Sequence, residues 1–99
     1  MLTSKQRAYL RSLAVNEDTI LIMGKSGSSA EIVKQADDAL AARELIKGRV
    51  LESSPITSRE AAEGLAEATG AEVVQVIGSR FVLYRRKDKD PKIILPKAR

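Results

Sequence analysis

Apolar positions along this chain recur alternately at helical and at strand spacing, as far as residue 84. Spacings of three and four residues predict helices near residues 3–16, 30–40 and 57–70. Shorter apolar runs predict strands at residues 19–23, 43–51, 71–77 and 81–84. The predicted order is αβαβαββ, which is the pattern of an α/β domain.

The first helix and the first strand carry specific expectations. Thr3 or Ser4 is expected to cap the helix, because a side-chain oxygen at this position accepts from a free backbone N–H. The apolar stripe of the helix is predicted to consist of Tyr9, Leu10 and Leu13. The strand, TILIM, has apolar residues at both odd and even positions, which point to opposite faces of a sheet. This pattern predicts a strand buried on both faces.

Glycine and threonine mark boundaries later in the chain. Gly48 predicts a bulge or a close backbone approach inside the strand at residues 43–51. A Thr-x-x-Glu capping box at residues 57–60 begins the third helix, and Gly70 lies where a helix-ending glycine belongs. A glycine-serine pair at residues 78–79 predicts a hairpin turn between the last two strands.

The C-terminal segment is basic and contains a short apolar piece at residues 91–96 that suggests a further strand. The length fits one domain. We therefore expect a single domain at residues 1–87 followed by a basic tail at residues 88–99.

Composition excludes several functional classes. The 99 residues include 17 lysines and arginines, 13 aspartates and glutamates, and neither cysteine nor histidine. The chain thus lacks thiolate nucleophiles and the imidazole that most often serves as general base or metal ligand. No apolar run approaches the roughly 20 residues that span a bilayer. We expect a cytoplasmic protein that is not an enzyme and has no cofactor, metal, membrane partner or small-molecule substrate.

The positive charge is unevenly distributed. Residues 71–99 carry a net charge of +5 and residues 1–28 carry +2, whereas residues 29–42 and 57–70 each carry −2. This asymmetry predicts one side that faces a polyanion and one that faces solvent. A basic tail that only aids solubility is the alternative.

A glycine-containing loop, Gly24-Lys25-Ser26-Gly27, follows a predicted strand and precedes a predicted helix. Glycine allows close backbone approach to a ligand, and the N–H groups of a helix N-terminus attract phosphate. A nucleotide-binding P-loop is excluded because Thr19 stands where its first glycine is required. An ordinary turn and a Gly-x-x-Gly loop that clamps a nucleic-acid backbone both fit the pattern.

Basic side chains on the predicted elements are further candidate RNA contacts. Residues 43, 45, 47 and 49 would share one face of a regular strand, which predicts a basic ridge. A charged edge strand or a solvated chain end is the alternative interpretation at these positions. The candidates are Arg7, Arg11, Arg43, Lys47, Arg49, Arg80, Arg85 and Arg86, together with Ser28 after the loop.

Aromatic and acidic residues provide fewer candidate functional sites than the basic residues do. Phe81 and Tyr84 differ by three positions, so a regular strand directs them to opposite faces and cannot present both for base stacking. Phe81 is expected in the core. The acidic pairs at residues 17–18 and 37–38 are interpreted as surface or turn residues, because adjacent helical residues do not face each other.

Four segments, taken in order, carry a family resemblance. They are residues 2–11 (LTSKQRAYLR), the loop at residues 24–27 (GKSG), residues 42–47 (ARELIK) and residues 73–78 (VVQVIG). Together they resemble the CRM domain, named for chloroplast RNA splicing and ribosome maturation, in its bacterial stand-alone YhbY form. The resemblance covers residues 2–86.

The resemblance implies a mixed four-stranded sheet with packed helices, similar to the C-terminal domain of the third bacterial translation initiation factor. It implies RNA binding without catalysis, and association of the bacterial members with precursors of the large ribosomal subunit. The family's proposed RNA contact is the Gly-x-x-Gly loop, here residues 24–27. Many relatives have glycine where Ser26 stands.

Two hypotheses of different kinds follow. The first is an RNA-binding protein that acts on ribosomal RNA during large-subunit assembly. The second is a protein-interaction module that docks an assembly factor or ribosomal protein through acidic helix faces, formed by Glu31, Asp38, Glu63 and Glu67. Duplex DNA is an alternative polyanion, but no predicted helix carries the residue cluster of a major-groove reader.

Overall fold

The computed structural model describes residues 2–25, 27, 29–87 and 89–97. Within these residues, three helices and four strands follow one another in the predicted αβαβαββ order. They are α1 (Ser4–Ala14), β1 (Thr19–Met23), α2 (Ala30–Arg43), β2 (Leu45–Val50), α3 (Ser58–Thr69), β3 (Glu72–Ile77) and β4 (Arg80–Tyr84).

The four strands form one mixed sheet in the order β1-β2-β4-β3. β1 and β2 pair in parallel, whereas β4 pairs antiparallel with both β2 and β3. Parallel neighbours require a crossover connection, which α2 provides. α2 and α3 cover one face of the sheet and α1 packs on the other, so the sheet separates two apolar clusters. The mixed four-stranded sheet is confirmed.

The predicted helix caps are present. The Thr3 hydroxyl accepts from the Gln6 N–H, and the Gln6 side chain accepts from the Thr3 N–H. The same reciprocal box begins α3 at residues 57–60. Gly70 ends α3 in the left-handed conformation, with φ of 73°. These local signals are readable in sequence because each needs only a few neighbouring residues.

The expected stripe on α1 is partly wrong. Leu10 and Ala14 are its buried residues, and they lie four positions apart on the side that faces the sheet. Tyr9 is exposed, because one position corresponds to a rotation of about 100° around the helix.

The prediction that β1 is buried on both faces is also wrong. β1 is an edge strand, and α1 packs mainly on β2, β3 and β4. Leu21 and Met23 point into the cluster beneath α2 and α3. Ile22, which points to the opposite face, keeps 54% of its surface exposed.

The second strand begins later than predicted. Helix-favouring residues carry α2 through Arg43, and Glu44, with φ of 66°, turns the chain into β2 at Leu45. Arg43 is therefore helical and does not share a strand face with Lys47. The prediction of a basic ridge from Arg43 to Arg49 is therefore wrong for Arg43, and only Lys47 and Arg49 share a strand face.

Gly48 provides the predicted close approach. It pairs with Phe81 across β2 and β4. A Cβ atom at this glycine would lie 2.3 Å from the Phe81 Cζ atom. The Phe81 ring lies over the glycine backbone and is fully buried, as expected.

The tail packs against the domain through a buried carboxylate. Glu44 is fully buried, and its Oε1 atom accepts from the backbone N–H groups of Lys92 and Ile93. Its Oε2 atom accepts from the Lys87 N–H. Residues 89–97 contain no strand in the structure, so the suggested terminal strand is wrong.

Candidate nucleic-acid interface

The Gly-x-x-Gly loop lies at the carboxyl end of β1 and leads directly into α2. The Gly27 N–H donates to the Gly24 carbonyl oxygen at 2.9 Å, which closes a tight turn. Gly27 has φ of 60°, a conformation that side chains disfavour. Lys25 is exposed at the turn. The candidate contacts Ser26 and Ser28 lie outside the described residues.

The connection from β2 to α3 supports the loop from behind. The Leu51 N–H donates to the Met23 carbonyl oxygen at 2.8 Å and thereby extends the strand pairing past β2. A Cβ atom at Gly27 would lie 3.0 Å from the Pro55 Cγ atom. Gly27 is buried against this connection, whereas Lys25 is directed outward.

The helix that follows the loop begins with an ordinary cap. The Ser29 hydroxyl accepts from the Ile32 N–H at 3.2 Å. The first helical N–H groups adjoin the loop, where the partial positive charge of a helix N-terminus favours an anion. The N-terminus of α2 therefore adds partial positive charge beside the loop.

Two of the candidate arginines lie at the same end of the sheet as the loop. Arg49 pairs with Arg80 across β2 and β4. Met23, the residue before Gly24, pairs with Val50, the residue after Arg49. Both arginines are exposed on the face that carries α1.

These arginines belong to one row across all four strands. Ile22 pairs with Arg49, and Ile77 pairs with Arg80. The row Ile22–Arg49–Arg80–Ile77 is called the sheet row below. Ile77 keeps 63% of its surface exposed, which makes both ends of the row apolar and accessible.

The end of α1 adjoins the sheet row. Arg11 and Val15 line a shallow depression of about 200 Å³ together with Ile77 and Arg80. Lys47 lines it too, but its ammonium group donates to the carbonyl oxygens of Ala14, at 3.1 Å, and Glu17, at 3.4 Å. Lys47 therefore anchors the C-terminal end of α1 and offers less charge to a ligand than Arg11 does.

The other candidate arginines lie away from the loop. Arg85 and Arg86 follow the opposite end of β4, where Tyr84 pairs with Leu45. This end is roughly 14 Å from Arg80 at about 3.4 Å per residue. Arg43 lies at the C-terminal end of α2, beside the start of β2. Arg80 and Arg85 therefore lie at opposite ends of β4.

Arg85 is engaged in a structural contact. Its Nη1 atom lies 2.6 Å from Asp37 Oδ1 and also donates to the Thr69 carbonyl oxygen at 2.8 Å. The guanidinium thus connects the middle of α2 to the C-terminal end of α3, and its side chain is only 25% exposed. Arg7 lies one turn before Arg11 on α1 and is half-buried.

The aromatic residues do not form a stacking platform. Phe81 and Tyr84 are both buried, and they lie in the clusters on opposite faces of the sheet, as predicted. The Tyr84 hydroxyl has no hydrogen-bond partner in the described part of the chain. Burial, and then the nearby Glu44 carboxylate, raise the pKa of this hydroxyl.

Other kinds of site are not apparent in the described residues. Among them, no group of three acidic side chains is arranged to hold a metal ion. No helix in this part of the chain is long and apolar enough to cross a membrane. Sequence analysis missed Ile22 and Ile77 as members of an exposed surface, because strand isoleucines are usually buried.

Comparisons with known proteins agree with this geometry. The family model of the CRS1/YhbY (CRM) domain matches residues 2–85. The chain is 40% identical over 96 residues to the probable RNA-binding protein YqeI of Bacillus subtilis, covering 97% of this chain and 100% of that one. It is 31% identical over 96 residues to an RNA-binding protein of Haemophilus influenzae, covering 97% and 96% of the two chains.

A solved structure is similar over nearly the whole chain. It is the solution structure of a Staphylococcus aureus protein, SAV1595, described as a candidate RNA-binding protein. The TM-score is 0.81 at 51% sequence identity, with 97% of this chain and 100% of the other covered. Fold, motif order and sequence identity agree, and the chain therefore belongs to the CRS1/YhbY (CRM) domain family.

Proposed function

We propose that this protein binds RNA, and that its target is ribosomal RNA in precursors of the large subunit. The observation that supports this best is the grouping at one end of the sheet. There the Gly-x-x-Gly loop, the N-terminus of α2 and the exposed side chains of Lys25, Arg49 and Arg80 lie together. The names of the relatives in Bacillus subtilis and Haemophilus influenzae support RNA as the ligand.

The mechanism is phosphate capture without catalysis. Backbone N–H groups of the loop and of the α2 N-terminus donate to one phosphate, and the arginines extend the positive surface toward the next phosphates. Contacts of this kind position RNA but read little sequence. Affinity therefore falls as salt rises, because each bound phosphate releases counterions.

The docking hypothesis has less support. Of the four carboxylates assigned to it, Asp38 pairs with Lys34 at 3.3 Å and Glu63 pairs with Arg59 at 3.6 Å. Both ion pairs join residues four apart on the same helix, so half of the acidic charge already has a local partner. Glu31 and Glu67 remain exposed on different helices.

Sedimentation of a cell lysate through a sucrose gradient tests the proposal, with the protein traced at low and moderate salt. We expect wild type to migrate with large-subunit precursors and Lys25→Glu to remain at the top. Lys5→Glu is the matched control, because this exposed lysine lies in the first turn of α1, at the other end of the sheet.

Two other results of the gradient experiment would contradict the proposal, in whole or in part. Circular dichroism first establishes that each variant is folded. Co-migration of Lys25→Glu with the precursors would place the contact on another face and favour protein docking. Wild type at the top of the gradient in low salt would contradict the ribosomal target.

A further inference from the structure

The sheet row lies on a part of the sheet that α1 leaves uncovered. α1 packs on the sheet through Leu10 and Ala14, next to Val82 and Tyr84, and its C-terminal end adjoins Arg80 and Ile77 without burying them. Beyond its last turn, the two isoleucines of the row are exposed although both belong to strands. This face of the sheet therefore leaves two large apolar side chains in contact with water, one on each edge strand.

The centre of the row is unusual for a different reason. Like charges directly opposite in an antiparallel pair destabilise the sheet, yet Arg49 and Arg80 occupy such positions. Neither guanidinium forms an ion pair or hydrogen bond with any residue that the structure describes. Two unneutralised guanidinium groups at one point form a place for an anionic ligand.

The apolar and cationic parts lie in a fixed order. With neighbouring strands about 4.8 Å apart, the row extends roughly 14 Å from Ile22 to Ile77, with both charges in the middle. An unpaired nucleotide segment has the matching chemistry, because its phosphates are anionic and its splayed bases have apolar faces. A duplex exposes phosphates, sugars and base edges but keeps its base faces stacked, so the isoleucines gain no base face to pack on.

We propose that the sheet row binds a short unpaired segment of RNA, with phosphate held between Arg49 and Arg80 and bases packed on Ile22 and Ile77. This inference rests on the proposed RNA binding and specifies the form of RNA that the site accepts. The row is continuous with the loop, since Ile22 lies two residues before Gly24. The loop and the row therefore hold successive parts of one strand.

Binding to two RNA probes at several salt concentrations tests this inference. The probes are short single-stranded RNA of random sequence and an RNA duplex of equal length. We expect Ile22→Ala and Ile77→Ala each to weaken binding of the single strand by about threefold to tenfold, as the loss of apolar contact implies. Binding of the duplex should change little, because the duplex does not reach the isoleucines.

A change of both arginines should act differently. Arg49→Gln combined with Arg80→Gln is expected to reduce the salt slope for the single strand by about 0.7, because the one phosphate held between the two arginines is no longer neutralised. The isoleucine variants should leave that slope unchanged. Ile94→Ala is the matched control, because Ile94 is 74% exposed and lies in the tail.

The outcomes separate this inference from the proposed function. Wild type that binds neither probe would contradict RNA binding itself. If wild type binds RNA, two results in the isoleucine variants would overturn the sheet-row inference alone. One is an equal loss of affinity for both probes, and the other is no loss of affinity for either probe. Unchanged binding of both probes would show that the exposed isoleucines do not contact RNA. Thermal unfolding by circular dichroism confirms that each variant remains folded.

Discussion

Arg49 and Arg80 face each other directly across β2 and β4, at the end of the sheet that also carries the Gly-x-x-Gly loop. Their Cα atoms are about 4.5–5.5 Å apart at such a position. Two positive charges this close favour the folded state less than a neutral pair does. The protein retains this local cost at its candidate interface, as is typical of residues that serve binding.

Arg80→Gln should therefore stabilise the protein while weakening RNA binding. We expect the free energy of unfolding to rise by about 0.5 kcal/mol, because one of the opposed charges is removed. Denaturant unfolding followed by circular dichroism measures the change. The gain should shrink as salt rises, because screening already weakens the repulsion in wild type.

A double-mutant cycle isolates the repulsion between the two arginines. Once Arg80 has been replaced, Arg49→Gln should bring no further stability, so the two effects should not add. Additive effects, or a loss of stability in Arg80→Gln, would contradict the repulsion.

The two glycines of the loop should respond differently to alanine. Gly27 has positive φ, and an added Cβ would meet Pro55 at 3.0 Å, so Gly27→Ala should cost about 1–2 kcal/mol. A Cβ at Gly24 would make only ordinary contacts, at 3.7 Å from Leu51 and Ser53. Gly24→Ala therefore controls for the loss of glycine itself. Equal costs in denaturant unfolding would show that the turn does not depend on Gly27.

Glu44→Gln should release the tail from the domain. The Gln amide retains one acceptor oxygen but places an NH₂ group where the carboxylate accepts from backbone N–H groups. The loss of hydrogen bonds to a buried charged acceptor is expected to cost about 1.5–3 kcal/mol. Limited trypsin digestion should cleave faster after Lys89 and Lys92, which lie in this segment.

Glu52→Gln is the control for this change, because Glu52 is exposed in the β2–α3 connection. Its digestion pattern should match that of wild type. Unchanged cleavage in Glu44→Gln would mean that the apolar contacts of Ile93 and Leu95 suffice to hold the tail.

Tyr84→Phe should preserve or increase stability near neutral pH. The Tyr84 hydroxyl is buried without a partner in the described chain, so its removal ends an unfavourable desolvation of about 1 kcal/mol. Thermal unfolding at neutral pH measures this directly. A clear loss of stability would show that the hydroxyl has a partner after all.

The same variant changes the response to alkali. Burial raises the folded-state pKa of Tyr84 above its unfolded value of about 10, so the protonated form is favoured in the folded protein. No stability is lost below the unfolded pKa; the loss begins as pH rises past about 10 and grows up to the folded pKa. Tyr84→Phe should be less sensitive to pH in that range. If stability fell equally with pH in wild type and in Tyr84→Phe, the result would contradict a raised pKa of Tyr84.

Element order, helix caps and the hairpin turn could all be predicted from the sequence. Each depends on residues only a few positions apart, as in the capping boxes at Thr3 and Thr57. The apolar spacing within each segment likewise indicated helix or strand without tertiary contacts. The loop at residues 24–27 was recognised because a strand, two glycines and a helix cap occur consecutively.

Tertiary structure decided the burial of β1, the start of β2 and the composition of the site. Ile22 has the pattern of a core residue, and only the edge position of β1 and the short reach of α1 leave it exposed. Arg85 has the sequence pattern of a free surface arginine, and only the fold brings Asp37, 48 positions away, into contact with it. Strand order and helix reach depend on distant segments, so they determine which basic residues meet and which are occupied.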